Sequence, residues 1–191
     1  MTSRLVALAS GALVVLYPVF VYFGLRYLGV ASLAVVLIAL FSLRLAATRG
    51  LATFRPSRSQ LALVSGVGIA LALVSLLQRR ADAMLYYPVL VNGGLLAAFA
   101  WSLAHPPTVI ERIARLREGE LSAAAVAYTR RVTLAWVVFF VCNGTIAFVT
   151  ARWTSIETWA FYNGAVSYAL IGIMIGGEWL VRRRVQRRAQ N

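Results

Sequence analysis

The stretch that decides the fold runs from Val132 to Arg188 and reads VTLAWVVFFVCNGTIAFVTARWTSIETWAFYNGAVSYALIGIMIGGEWLVRRRVQRR. Residues 132–151 contain no charged side chain, and residues 158–181 contain one, Glu178. Because a helix rises about 1.5 Å per residue, each run is long enough to cross a hydrocarbon core of roughly 30 Å. The pattern predicts a transmembrane hairpin that ends on the cytoplasmic side, where a cluster of arginines follows at once. The clustered arginines are Arg182, Arg183, Arg184, Arg187 and Arg188.

Composition also indicates an integral membrane protein. Of the 191 residues 61% are hydrophobic, whereas soluble proteins contain about 45–50% apolar residues. All 19 basic residues are arginine, which is typical of a GC-rich bacterial genome, and the formal net charge is +13. Since the arginines flank apolar runs, we expect them to contact the anionic inner leaflet and predict no nucleic-acid partner. The single cysteine, Cys142, excludes an intrachain disulfide and a cysteine metal site.

The other apolar runs complete an all-α bundle of six transmembrane helices, which we expect to form one domain over residues 1–191. The N-terminus, the two long loops and the tail, counted together with Arg44 near the end of the second span, carry 15 arginines, against four in the short turns. By the positive-inside rule this asymmetry places both termini in the cytoplasm. We therefore expect a multi-pass protein of the bacterial inner membrane. The predicted spans are residues 5–24, 29–48, 61–78, 84–104, 132–151 and 158–181.

The longest loop contains a predicted amphipathic helix, residues 107–118, on the cytoplasmic side between the fourth and fifth spans. Thr108, after two prolines, is typical of a helix start and Gly119 of a helix stop, and Glu111 and Arg115 are spaced to form an ion pair. Two interpretations stay open: a helix that lies on the inner leaflet, or a docking surface for a cytoplasmic or membrane protein partner. The candidate interaction residues are Arg112, Arg115 and Arg117.

The sequence contains no recognisable catalytic site. Its one histidine, His105, lies at a predicted membrane edge, and a histidine-plus-four-aspartate acyltransferase motif would need an aspartate where Ile110 stands. Glycine-rich phosphate loops, paired intramembrane carboxylates, metal-ligand clusters and a nucleophile beside a base are not visible either. We therefore expect no enzyme, no cofactor and no metal, and an interfacial or capping role for His105.

Polar residues inside the predicted spans are the better functional candidates. Asn92, Asn143 and Asn163 are each followed by glycine, and a carboxamide in hydrocarbon needs a hydrogen-bonding partner. We predict that the three Asn-Gly pairs meet at shared helix contacts; the alternative is a polar binding site in mid-membrane. Glu178 predicts an ion pair with Arg182 four residues on, the alternative being a proton or substrate site. The small residues expected to pack helices together are Gly164, Gly172 and Gly176.

Two segments of the chain echo each other. Residues 17–25 and 87–95 share six identities in nine positions, beginning with the dipeptide Tyr-Pro in both. They lie in the first and fourth predicted spans, so they would run in opposite directions across the membrane. The echo indicates either an inverted repeat of the kind common in transporters or chance.

Part of the sequence resembles known bacterial membrane families. Residues 133–140, TLAWVVFF, with the preceding loop 109–121, resemble the intracellular septation protein A family. Residues 92–94, 161–164 and 177–179 are more similar to an uncharacterised inner-membrane family whose genes lie beside those for aryl-polyene or fatty-acid-like synthesis. The Asn-Gly pairs and the glutamate depart from the septation pattern and argue against a division role. The resemblance implies envelope-related work and no established activity.

Two function classes follow. In the first, the chain is a membrane scaffold or accessory subunit that holds enzymes of cell-envelope or lipid and polyene biogenesis at the inner leaflet, through residues 105–131 and the arginine tail. In the alternative, it is a small transporter or flippase for a small or lipid-like molecule, with the three asparagines along its path. The lack of a charge near mid-bilayer favours the first. The sequence leaves the partner, the substrate and the oligomeric state open.

Overall fold

The fold is entirely helical over the residues that the computed structural model describes, 16–47 and 58–190. One π-helical turn, Tyr162–Val166, interrupts the last long helix. The all-α class predicted from the sequence is therefore confirmed for this part of the chain. The α-helices are α1 (Tyr17–Tyr27), α2 (Gly29–Ala47), α3 (Arg58–Gln78), α4 (Asp82–Leu85), α5 (Tyr87–Ala104), α6 (Val109–Glu118), α7 (Ala123–Trp153), α8 (Ile156–Phe161) and α9 (Ser167–Gln190).

Four helical stretches in the described part of the chain are long and apolar enough to cross a membrane. A shorter apolar stretch, Ser65–Gln78, belongs to the third predicted span, while residues 5–15 of the first predicted span lie outside the described residues. The chain is thus compatible with a multi-pass membrane protein, and six spans remain a prediction. The four stretches are Gly29–Ala46, Asp82–Ala104, Ala123–Trp153 and Ile156–Arg182.

The helices extend beyond the predicted spans at places where helical backbone continues into polar sequence. The predicted span 132–151 belongs to α7, which begins nine residues earlier, at Ala123, where the Ser122 hydroxyl accepts a hydrogen bond from the Ala125 amide. The predicted span 158–181 likewise continues in helix to Gln190. Apolar content marks only the part of a helix that suits hydrocarbon, whereas backbone hydrogen bonds carry the helix into polar sequence.

The first predicted helix, 5–24, differs from the structure in two places within the described residues. Helix α1 begins at Tyr17, so Pro18 lies in its first turn and not in a helix interior. A proline there costs no hydrogen bond, because the first amides of a helix have no intrahelical acceptor. The helix continues to Tyr27, and Gly29, with φ of 76°, then provides the break before α2.

The described residues divide into two compact units. The first comprises residues 16–91, apart from the gap at 48–57, together with 147–165. Its core is a cluster of aromatic rings in which Tyr17 lies 4.2 Å from Tyr87 and Phe41 lies 5.6 Å from Tyr87, measured between ring centroids. Tyr17 and Tyr87 are the first residues of the two echoing segments, so the shared Tyr-Pro dipeptides bring their rings into direct contact.

A proline determines how this core is closed. Pro88 has no amide hydrogen to donate to the carbonyl of Met84, and its ring crowds that carbonyl, so α4 and α5 are separated at Tyr86. The Tyr17 hydroxyl donates to the Met84 carbonyl over 3.0 Å. Next to it, the fully buried Trp159 donates its indole N–H to the Leu85 carbonyl over 3.0 Å.

The second unit comprises residues 92–146 and 166–190. An aromatic cluster joins α5 to α7, with the ring of Phe99 5.1 Å from that of Phe140. The hydroxyl of Tyr128 on α7 donates to the Glu178 carbonyl on α9 over 3.3 Å. Helices α5, α7 and α9 therefore frame this unit, and α6 belongs to it as well.

Two glycines on α3 give a matched test of the packing in the first unit. A Cβ atom at Gly68 would lie 2.5 Å from the ring of the fully buried Phe41, whereas a Cβ at Gly66 would meet nothing within 4 Å. We expect Gly68→Ala to destabilise the fold by about 1–3 kcal/mol through overpacking. Gly66→Ala should stabilise it by up to about 1 kcal/mol, the helix-propensity difference. Reversible unfolding in mixed micelles measures both, and equal effects would contradict the packing described.

Candidate functional site

Helix α6 begins and ends beside the residues that the sequence indicated, and hydrogen bonds cap it at both ends. The Thr108 hydroxyl accepts from the Glu111 amide over 3.3 Å, and the Glu111 carboxylate accepts from the Thr108 amide over 3.4 Å. This reciprocal capping box fixes the start of the helix. Gly119, with φ of 75°, ends it. Thr108 thus precedes the helix and Gly119 follows it, as predicted, whereas the helix itself begins at Val109 and not at the predicted residue 107.

Hydrogen bonds from α5 and α7 hold the start of α6 and the end of α5 in place within the second unit. The amide of Val109 donates to the Ser102 hydroxyl over 3.1 Å, and that hydroxyl donates to the Phe99 carbonyl over 2.8 Å. The Arg130 guanidinium donates to the Leu103 carbonyl over 2.8 Å. Because these bonds reach α6 and the end of α5, the start of α6 is held in a defined place.

The face that α6 turns inward is not the one its apolar pattern suggests. Glu111 is 4% exposed and Ala114 is buried, whereas Ile113 is 47% and Leu116 is 87% exposed. The capping box explains this, since it needs the Glu111 carboxylate folded back against the helix start. Leu116 therefore remains on the outer surface of α6, while the half-exposed Ile113 borders a cavity between α6 and the other helices of its unit.

Two arginines of α6 lie next to the exposed side chain of Leu116. Arg115 pairs with Glu111, with 2.7 Å between Nη2 and Oε1, so the predicted ion pair is confirmed. The side chain of Arg112 is exposed and donates to the Pro107 carbonyl over 2.9 Å. The side chain of Arg117, the third candidate, lies outside the described part of the chain. Arg112 and Arg115 thus border the exposed Leu116.

A cavity of about 370 Å³ lies between α6 and the helices of its unit. A volume of this size falls in the range of small-molecule sites. Its wall is apolar except for the side chains of Glu178 and Arg182 on α9. The apolar lining comes mainly from Leu95, Phe99, Ile113, Trp136, Phe140 and Ile175.

The predicted ion pair between Glu178 and Arg182 is wrong for the described residues. Arg182 pairs instead with Glu118, the last residue of α6. The two residues on α9 have the right spacing for a pair, but the end of α6 brings a second carboxylate within reach of the guanidinium. Tertiary proximity therefore decides the pairing, and Glu178 lines the cavity without an ion-pair partner among the described residues.

Two of the three asparagines form one buried network. The Asn143 amide group donates to the Asn92 side-chain oxygen and to the Ser167 hydroxyl, each over 3.0 Å. The glycine that follows makes the close approach possible, because a Cβ at Gly144 would lie 3.2 Å from the Asn92 Cβ. In this Asn-Gly pair the asparagine provides the hydrogen bond, and the glycine, which has no side chain, allows α5 and α7 to lie close together.

The third asparagine uses different partners. Asn163 donates its amide hydrogens to the Trp159 carbonyl over 2.9 Å and to the Thr150 hydroxyl over 3.2 Å, within the first unit. It lies in the π-helical turn, where the backbone pattern changes. The prediction of shared contacts thus describes the pair Asn92 and Asn143, whereas Asn163 joins α7 to the start of the last helical stretch.

The three glycines predicted to pack helices behave differently. A Cβ at Gly164 would touch Val19 at 3.5 Å and Pro18 at 3.6 Å, so this glycine lies against α1. A Cβ at Gly172 or Gly176 would meet nothing within 4 Å. The GxxxG pattern of α9 therefore makes no close helix contact in the described chain.

His105 lies at the end of α5 and is exposed. Its ring stacks on that of Trp101 at 3.9 Å, and its Nδ1 is 3.1 Å from the Trp101 carbonyl. In the described residues, no three side chains of His, Cys, Asp or Glu lie close enough together to hold a metal ion. The structure places His105 at a helix end, away from the buried asparagines of its unit.

Sequence reasoning missed the cavity, the ion pair of Glu118 with Arg182 and the role of Ser167. Ser167 follows Asn163 by four residues, one helical turn, and this spacing was an available signal for a second polar residue on that helix. The cavity has no such signal, because four separate helices supply its walls.

A double-mutant cycle tests the buried amide network. We expect Asn92→Ala and Asn143→Ala to be coupled by about 0.6–1.7 kcal/mol, the range of polar contacts between membrane helices. The exposed Thr145 is the control, since its hydroxyl donates to Val141 on the same helix, and Asn143→Ala with Thr145→Ala should be additive. Additive effects in the Asn92–Asn143 cycle would show that the hydrogen bond is unimportant for the fold. Unfolding in mixed micelles is the measurement.

Known proteins offer no direct guide to this site. The chain matches no protein-family model, no curated protein and no solved structure. The site consists of the capped helix α6 with its exposed apolar surface and of the cavity beneath it.

Proposed function

We propose that this chain is a multi-pass scaffold or accessory subunit of the bacterial inner membrane, at work in cell-envelope or lipid and polyene biogenesis. In this proposal it has six spans, both termini lie in the cytoplasm and α6 is its docking surface. The observation that carries it is the exposure of Leu116 on a helix that is fixed at its start.

The chemistry of α6 supports a surface that meets another molecule. An amphipathic helix on the surface of a soluble protein turns its apolar side chains toward the core. In α6, however, Leu116 is 87% exposed while Glu111 is buried. Exposed apolar residues with arginines beside them are typical of contact sites for proteins or membranes. Arg112 would add attraction to an anionic leaflet, about 1 kcal/mol, whereas Glu111 offsets the charge of Arg115.

The orientation rests on the distribution of arginine along the chain. Helix α6, the segment before the fifth predicted span and the tail are rich in arginine, and such segments stay on the cytoplasmic side. The docking surface would therefore face the cytoplasm at the level of the inner leaflet, where enzymes that extend acyl or polyene chains meet the membrane.

The contacts of the asparagines argue against the transporter alternative. The Asn143 amide group is committed to Asn92 and Ser167, and that of Asn163 to Trp159 and Thr150. A transport path needs polar atoms that exchange their partners with the substrate, but these partners belong to the chain. None of the three asparagines lines the 370 Å³ cavity. Structural contacts between helices are the better interpretation.

Complementation of a deletion strain tests the proposal. We expect Arg112→Gln combined with Leu116→Ser to lose most of the function, because it removes charge and apolar surface from α6 without disturbing buried residues. The matched control is Arg152→Gln combined with Val149→Ser, an exposed arginine and an exposed apolar residue at the far end of α7. This control should complement fully at equal protein level.

The same complementation assay also shows the result that a transporter would give. A transporter would lose its function with Asn92→Ala and Asn163→Ala at normal expression and would tolerate the changes in α6. Full complementation by the α6 variant would contradict the scaffold proposal.

A further inference from the structure

The lining of the large cavity changes from apolar to charged along one helix. Ile175, Glu178 and Arg182 all line it from α9. These residues follow one another at successive turns, so the change takes place over about 10 Å of helix. A ligand that fits both parts is amphiphilic, with an apolar body and a polar end.

The apolar part has the size of a hydrocarbon chain. The cavity measures about 370 Å³, which holds roughly a dozen methylene groups if each occupies about 30 Å³, the volume of a water molecule in the liquid. The rings of Phe99, Trp136 and Phe140 form much of the wall. In a bilayer the apolar molecule at hand is a lipid acyl chain, so the space suits one such chain.

The charged end selects the headgroup. Arg182 is paired with Glu118, whose carboxylate offsets its charge. Glu178 has no ion-pair partner among the described residues and faces a largely apolar space. A carboxylate in such a place requires a cation or hydrogen-bond donors. The three side chains together carry one net negative charge, which complements an ammonium group.

We propose that this cavity binds one phospholipid whose headgroup carries a primary amine, with an acyl chain along the aromatic wall and the ammonium group at Glu178. The guanidinium of Arg182 has donors beyond the one that meets Glu118, and these suit the phosphate oxygens. An anionic phospholipid with the same chains has the phosphate but lacks the cation. The amine is therefore the discriminating group. This lipid site does not depend on the scaffold role of α6.

Competitive lipid retention tests the assignment. The purified full-length protein is reconstituted with equal amounts of phosphatidylethanolamine and phosphatidylglycerol that carry identical acyl chains, and retained lipid is then counted by native mass spectrometry. We expect about one phosphatidylethanolamine per chain, retained roughly fivefold to tenfold over phosphatidylglycerol, the ratio expected from one membrane-level charge contact.

Variants locate the effect. Glu178→Gln should abolish the preference, and Glu178→Asp should keep most of it. The control is Glu157→Gln, which alters an exposed carboxylate in α8 and should leave the preference unchanged. Equal retention of both lipids, retention of neither, or an unchanged preference in Glu178→Gln overturns the proposal.

A second measurement uses the unaltered chain and so does not depend on how the variants fold. Phosphatidylethanolamine with a photoactivatable group on one acyl chain should label Phe99, Trp136 or Phe140. Labelling confined to other parts of the chain overturns the assignment.

Discussion

A backbone carbonyl within a membrane needs a donor, and a single proline makes this constraint decisive for the first unit. Pro88 has no amide hydrogen for the Met84 carbonyl, and the Tyr17 hydroxyl provides one from another helix. The bond holds α1 beside the junction of α4 and α5, where the rings of Tyr17 and Tyr87 are in contact. The proline that interrupts a helix therefore also determines which helix packs against the interruption.

The same constraint governs the amides of the second unit. Asn143 spends its donors on Asn92 and Ser167, and Gly144 allows the two helices to come close enough. Polar residues in this chain thus serve chiefly to satisfy one another. On α6 and at the facing end of α9, accessible charged residues have an apolar surface and a cavity beside them. This separation is the physical basis for placing function on α6 and its cavity.

The sequence predicted features that depend on neighbours along the chain. Thr108, Gly119 and the ion pair of Glu111 with Arg115 follow from local helix chemistry and are present. Features that depend on packing could not be obtained in this way. Arg182 has two carboxylates within reach and pairs with the one from another helix. The outward turn of Leu116 likewise depends on how the helix start is held, and no periodicity in the sequence encodes it.

The central claim is that a rigidly capped helix is held at the cytoplasmic surface of the membrane. The most direct measurement is the side of the membrane on which Gly119, the residue that ends α6, lies. A reporter that is active only in the cytoplasm, inserted after this residue in the full chain, should give full signal in intact cells. A signal from the opposite side of the membrane would contradict the account, because α6 would then be out of reach of any cytoplasmic partner.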